Sequence, residues 1–270
     1  MIIPRKPLGQ HFLSDENVAR KIVRALHAKP DELILEVGPG GGSLTKHLLE
    51  TGADVVAVEI DPRAVEALRE RFGSGVVIRQ EDFLETDLSE LSQHYRRKIR
   101  VVGNIPYYIT SEILFRLFEY RGSVHSAHLM MQLEVAQRLI AKSGSKSYGI
   151  LAVATGFYAE PELLFRVSRN SFYPRPDVDS AVTALQFKEV LPACDRMLFH
   201  TIVRATFGQR RKTLKNGLRS IGFSEDQLSA APVDLNDRPE NLSVEDFVVL
   251  TAGLERYRDS VHSSLSAASA

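Results

Sequence analysis

The chain has 270 residues, 44% hydrophobic and 25% charged, with 34 Lys+Arg against 34 Asp+Glu. That mix excludes a mainly disordered chain, and the single cysteine, Cys194, excludes an intramolecular disulfide framework and any multi-cysteine zinc site. No apolar run approaches the ~20 residues that span a bilayer, and the basic residues 1–7 are not followed by the apolar stretch of a secretory signal. A soluble, cytoplasmic chain with no membrane partner and no metal is expected. A net charge of zero argues against a polyanionic partner only if charge is evenly spread, and it is not. Residues 1–30 are net +4, 31–187 net −4, 188–222 net +6 and 223–270 net −6. Such blocks suggest an electrostatic footprint, although solvated faces also fluctuate by a few charges. If the arm 1–30 and the stretch 188–222 share one face, the molecule is dipolar rather than neutral.

From residue 32 short apolar runs alternate with helix-like stretches. Residues 33–37, 54–60, 76–78, 100–104 and 128–131 read as strands. Pro62 takes a favoured first helical position, and Ala64, Val65, Leu68 and Phe72 follow at helical spacing. The alternation predicts a mostly parallel sheet covered on both faces. After residue 149 the pattern changes. Residues 150–158 and 182–187 read as two strands, with Pro161, Pro174 and Pro176 but no clear helix between them, which predicts an antiparallel pair at one sheet edge. From 192 the strands stop, and 197–207, 212–221 and 244–254 read as helices. The expected organisation is an α/β domain over 1–188 with a basic N-terminal arm, a small helical domain over 189–259 and a frayed tail over 260–270.

The first strand ends in Glu36-Val37-Gly38-Pro39-Gly40-Gly41-Gly42 and leads into a helix. Gly38 and Gly40 let the chain turn tightly and let a ligand approach the backbone. Glu59 ends the second strand, where a carboxylate can accept from ribose hydroxyls. The pair reads as a nucleoside-binding unit, against the plainer reading of a strand–turn–helix glycine cluster. The glycine spacing misses the dinucleotide fingerprint, whose last glycine falls three residues after the second. Glu36 beside the glycines would repel a phosphate and suits a cofactor bearing an ammonium and a sulfonium, as S-adenosylmethionine does. Asp82, after the third strand, could accept from an adenine amino group or be a solvated loop aspartate.

Gly103-Asn104-Ile105-Pro106-Tyr107 ends the fourth strand, at the sheet edge where ligands bind in such folds. The lone pair of an adenine exocyclic amine is delocalised into its ring. The Asn104 side-chain oxygen and the Ile105 carbonyl could accept its two N–H groups, freeing the lone pair for in-line attack on a methyl group and stabilising the charge that develops. Tyr107 offers a ring face for the base. Taken alone, the motif also reads as a turn with a packed tyrosine.

Taken together these segments resemble the ribosomal RNA adenine dimethyltransferases of the small subunit, the KsgA type. The likeness runs over about residues 8–242. Besides the glycine loop, Glu59, Glu81-Asp82 and the Asn104 motif, it includes Leu8-Gly9-Gln10-His11-Phe12-Leu13 and Gln132-Leu133-Glu134-Val135-Ala136. It continues through Phe172-Tyr173-Pro174-Arg175-Pro176-Asp177-Val178-Asp179-Ser180-Ala181-Val182, Phe207-Gly208-Gln209-Arg210-Arg211-Lys212 and Arg238-Pro239-Glu240-Asn241-Leu242. Leu133 departs from relatives, which usually carry lysine there. The resemblance implies a class I, Rossmann-like methyltransferase fold with a seven-stranded sheet, and S-adenosylmethionine as cofactor. It implies cofactor contacts at His11, Leu13, Gly38, Gly40, Glu59, Asp82 and Asn104, with Asn104 and Tyr107 on the target adenine and Phe172 on its other face. It also implies dimethylation of two adjacent adenines in a hairpin loop near the 3′ end of small-subunit rRNA, during ribosome assembly. Arg210, Arg211 and Lys212 would meet that RNA. By itself Phe172 reads more readily as a core aromatic, its place near Pro174 and Pro176 hinting at a displayed ring, and residues 209–212 read more readily as a solvated helix face. A monomer is expected. The sister large-subunit methylases, an RNA-docking module that has lost catalysis and a dinucleotide oxidoreductase are the competing readings.

Overall fold

The computed structural model describes residues 10–257, so most of the basic arm's first ten residues and the tail 260–270 lie outside the described residues. In chain order the first elements are β1 (Phe12–Leu13), α1 (Glu16–Leu26), β2 (Leu33–Val37), α2 (Thr45–Leu49), β3 (Asp54–Val58), α3 (Pro62–Phe72), β4 (Val77–Arg79), α4 (Leu88–Tyr95) and β5 (Ile99–Asn104). They are followed by α5 (Thr110–Glu119), β6 (Val124–Gln132), α6 (Leu133–Leu139), α7 (Ile150–Tyr158), β7 (Ala159–Val167), β8 (Phe172–Tyr173) and β9 (Ser180–Phe187).

Seven strands form one sheet in the order β4-β3-β2-β5-β6-β9-β7. The pairs from β4 through β6 are parallel, and β9 runs antiparallel to both β6 and β7. This is the expected mostly parallel sheet with an antiparallel edge pair. Every residue of β2 is buried, as a strand covered on both faces requires. Acidic caps satisfy orphan N–H groups at the starts of α1 and α3. The Asp15 carboxylate accepts from Asn17 and Val18 at 3.0 and 3.3 Å, and α1 then buries Ala19, Ile22, Val23 and Leu26 along one stripe. Asp61 caps α3 through the Arg63 N–H at 3.1 Å, with Pro62 at the first helical position as expected.

Two expectations are corrected. Residues 150–158 form the helix α7, not a strand, and the strand is β7, which starts at Ala159 and contains Pro161. In α7 seven of nine residues are buried, so the segment has no polar face and no helical period to read. A short apolar run of that kind cannot be told from a buried strand by pattern. Pro161 is tolerated because β7 is an edge strand. The second difference is a two-residue ladder absent from the sequence reading, in which Phe12 pairs with Tyr173 and Leu13 with Phe172.

The chain divides into two compact units, residues 1–137 with 159–189, and 138–158 with 190–270. The second unit thus takes in 138–158, which the sequence reading assigned with everything up to 188. Its helices are α7, α8 (Arg196–Gly208), α9 (Leu214–Ser220), α10 (Glu225–Leu228) and α11 (Val244–Leu254). They enclose a core in which the Phe157 and Phe199 ring centroids lie 4.2 Å apart and those of Phe207 and Phe247 5.8 Å apart. Tyr158 Oη and His200 Nε2 hydrogen bond at 2.7 Å. Among the described residues no helix is long and apolar enough to cross a membrane.

Candidate active site

Because β2 to β6 are parallel, their C-terminal ends share one edge, and the loops there converge on a cavity of about 190 Å³. Its walls include Gly38 and Gly40 after β2, Glu59 after β3, Asp82 after β4 and the run from Asn104 to Tyr107 after β5, with His11 and Phe12 from the N-terminal segment.

The glycine loop is held by backbone bonds. Gly38 N–H donates to Val58 O at 2.9 Å. Gly40 has φ +53°, and a Cβ there would sit 2.7 Å from the Phe12 ring, so any side chain meets both strain and a clash. The Glu59 carboxylate ties the loop to the end of β3. One oxygen accepts from Gly40 N–H and the other from Asp61 N–H, each at 2.9 Å. Burial raises the Glu59 pKa, and those backbone donors oppose the rise. Each oxygen keeps a second lone pair for a hydroxyl of the ligand. Asp82 Oδ1 accepts from Leu84 N–H at 2.9 Å, leaving Oδ2 without a protein partner among the described residues.

Gly103 brings β5 close to β2, since a Cβ there would lie 2.7 Å from Val37 O. Next in line, Asn104 donates from Nδ2 to His11 O at 2.8 Å. That bond settles which end of the amide points where. The nitrogen is used by the protein, and the oxygen is the end left to receive a proton donor. Tyr107 Oη hydrogen bonds Ser180 Oγ at 2.8 Å, and its ring stacks on His11 with centroids 5.7 Å apart and planes 24° apart. Burial raises the Tyr107 pKa against the pull of Ser180. His11 is fixed in turn by Nδ1, 2.8 Å from Pro174 O.

Several expected site residues stand elsewhere. Glu36 does not line this cavity. It is 1% exposed and accepts from Thr45 Oγ1 at 2.6 Å, and burial, reinforced by the nearby Glu59 charge, lifts its pKa from 4.5 to about 7. It supports the loop from beneath rather than meeting a cationic ligand. Leu13 is buried in the core, and its carbonyl accepts from Ser43 Oγ at 2.7 Å. Phe172 is 4% exposed and packs in the core with Leu13, as its reading as a core aromatic expects; the adenine-facing ring implied by the resemblance is absent, and the exposed aromatic is its neighbour Tyr173. In the second unit, residues 209–212 form a turn after α8, not a helix face. Arg211 and Lys212 are exposed, but Arg210 is committed through Nε to Glu240 at 2.6 Å and through Nη2 to Lys146 O at 2.9 Å. The +6 stretch is further offset where Lys215 and Arg219 pair with Glu225. Ser180, which orients Tyr107, lies within the 172–182 motif but takes no site role from the sequence, because its contact with Tyr107 exists only in the tertiary fold.

The donor set of the cavity tests the cofactor. Among the described residues three carboxylates, Glu59, Glu81 and Asp82, line it, and no lysine or arginine does. A pyrophosphate would be repelled there, whereas a sulfonium with an ammonium group and ribose hydroxyls is matched.

The model of the ribosomal RNA adenine dimethylase family matches residues 3–255. The chain belongs to that family. A small-subunit rRNA methyltransferase A of Chlorobium phaeobacteroides is 45% identical over 92% of this chain and 93% of its own length. Its namesake in Francisella tularensis subsp. novicida is 41% identical over 91% and 95%. Among solved structures, a dimethyladenosine transferase from Plasmodium falciparum covers 93% of this chain and 98% of its own at TM-score 0.75 and 25% identity. The 23S rRNA methyltransferase ErmE covers 90% and 99% at TM-score 0.67 and 27% identity. This member of the family is an S-adenosylmethionine-dependent rRNA adenine dimethyltransferase with a Rossmann-like methyltransferase fold.

Proposed function

We propose that the chain dimethylates N6 of two adjacent adenines in a hairpin loop near the 3′ end of small-subunit rRNA, as a cytoplasmic monomer acting during ribosome assembly. The observation that carries this reading is the Asn104 amide, turned by His11 O so that its oxygen faces the ligand side of the sheet edge. The curated relatives named for the small subunit support the choice of RNA, since they are more similar than the large-subunit enzyme.

The cofactor, when bound, supplies an electrophilic methyl group. Glu59 holds ribose hydroxyls with its free lone pairs, Asp82 Oδ2 takes the adenine amino group, and Gly38 and Gly40 keep the backbone bare of side chains beside the ligand. His11 and the Leu13 main chain close the site. Asn104 Oδ1 and Ile105 O accept the two N–H bonds of the target N6, so its lone pair is no longer delocalised into the ring. With the cofactor bound, that lone pair would form the new N–C bond as the C–S bond breaks and its electrons leave with sulfur. The positive charge on N6 then lies beside two acceptor oxygens, and the surplus proton departs to solvent without a dedicated base. Tyr107, fixed by Ser180, presents to the base the ring face turned away from His11. Phe172 acts here as the core anchor that pairs with Leu13 and holds residues 10–13 against the cavity. Arg211 and Lys212 contact RNA phosphates.

Mapping methyl label from a tritiated donor onto unmodified small and large subunits tests the target. Label on two adjacent small-subunit adenines is expected. Label confined to large-subunit RNA would reassign the chain to the sister activity.

A further inference from the structure

The turn 209–212 and the segment 142–148 are far apart in the chain, and one side chain fastens them together. Arg210 Nη2 donates to Ser145 O at 3.4 Å and Lys146 O at 2.9 Å, across 65 and 64 residues of sequence. Its Nε donates to Glu240 at 2.6 Å, and Glu240 O accepts from Gly144 N–H at 2.7 Å. At the end of the segment Tyr148 is buried, with its ring edge-on to Phe207 at 6.0 Å between centroids. The segment has no helix or strand and is nevertheless pinned at several points.

What the pinning achieves is a gathering of charge. Lys142 and Lys146 are exposed, as are Arg211 and Lys212, and none of the four has a side-chain ion pair among the described residues. The carboxylate bonded into the cluster, Glu240, is already neutralised by Arg210. The four charges sit on two segments that Arg210 fastens together, and like charges so gathered repel, a repulsion relieved when a polyanion lies across them. Ser143 and Ser147 are exposed in the same segment and can donate to phosphate oxygens, while the Ser145 hydroxyl donates to Lys142 O at 2.7 Å. No sequence pattern pointed to 142–148, since its two lysines are separated by three residues of a serine-rich run.

We propose that Lys142 and Lys146 join Arg211 and Lys212 in one phosphate-binding patch for the folded rRNA substrate, with Arg210 as the positioning residue that holds the two halves together. This rests on the reading that the substrate is rRNA. It adds a second RNA-binding segment to that reading and removes Arg210 from the direct contacts.

The test is the salt dependence of binding of the full chain to unmodified small ribosomal subunits, by filter retention over a range of potassium chloride. Each phosphate contact contributes about 0.7 to the log–log slope on single strands. Lys142→Ala/Lys146→Ala is expected to flatten the slope by about 1.4, and Arg211→Ala/Lys212→Ala by a similar amount. An unchanged slope in the first pair, with a flattened slope in the second, removes the 142–148 segment from the interface. Arg210→Lys separates the two roles of Arg210, because lysine keeps the charge but cannot fork between Glu240 and the two carbonyls. A slope reduced as in Arg210→Ala identifies a positioning residue. A wild-type slope in Arg210→Lys, with loss only in Arg210→Ala, makes Arg210 a direct contact and overturns its assigned role. If methyl mapping moves the target to the large subunit, the proposed function falls, and the same slopes measured on that RNA still decide the patch.

Discussion

The cavity at the sheet edge and the basic turn of the helical unit bind by opposite means. At the cavity every working polar side chain is already held by a second partner. Glu59 is held by Gly40 and Asp61, Asn104 by His11, Tyr107 by Ser180 and Asp82 by Leu84. In the basic patch the four exposed cations have no side-chain ion pair among the described residues, whereas Arg210 is tied down. Methyl transfer needs atoms fixed to a fraction of an ångström, and pre-formed hydrogen bonds supply that without reorganisation at the moment of reaction. Phosphate attraction is long-ranged and tolerant of angle, so mobile lysines serve it, provided the backbone under them is placed.

The largest expected effect breaks the fixed side of that contrast. Asn104→Ala should lower single-turnover methyl incorporation by about 10²–10³-fold while RNA affinity stays near wild type. Unchanged turnover would remove the acceptor role.

The next effect concerns Glu36, buried under the glycine loop. Its pKa is about 7 in the fold against 4.5 unfolded, so the folded state holds the proton more tightly. Its contribution to stability is complete below pH 4.5 and is lost as pH rises through about 7. Glu36→Gln still accepts from Thr45 and should escape that loss. Its stability relative to wild type should therefore rise by roughly 3 kcal/mol between pH 4.5 and 8. Denaturant titrations at the two ends of that range measure the change, and a constant difference would mean that Glu36 is ionised in the fold.

The smallest effect divides Tyr107. Loss of the ring in Tyr107→Ala should weaken productive RNA binding by about 1–3 kcal/mol, the worth of one stacked base. Tyr107→Phe loses only the Ser180 bond, worth roughly 1 kcal/mol. Comparing KM for unmodified subunits between the two variants shows whether the ring or its tether matters more. Equal effects would make the tether dominant.

Much of the cavity was legible along the chain because each part lies at the end of its own strand. Glycines after β2, an acid after β3, Asp82 after β4 and Asn104 after β5 need only a parallel sheet to bring them together, and alternating apolar runs announce such a sheet. Periodicity also marked α8 and α11, whose polar faces alternate with core positions. It failed at α7, where burial on nearly all sides erases the period. At Phe172 the residue-level reading as a core aromatic matches its burial beside Leu13, and what the packing does not supply is the place on the adenine that the family resemblance implies. Glu36 looked like a ligand group from its place beside the glycines, but alternation along β2 turns it to the side of Ile34 and Thr45, away from the cavity.

Local chemistry along the chain therefore determined the fold class, the acidic character of the cavity and the place of Asn104 at its edge, because each depends on residue type and on nearby neighbours. The tertiary structure alone decided which atom of Asn104 is free, which aromatic ring is available and which cations stand together. Those depend on partners such as His11 O, Ser180 and the carbonyls of Ser145 and Lys146, which lie tens of residues or more away and become neighbours only when the chain has folded.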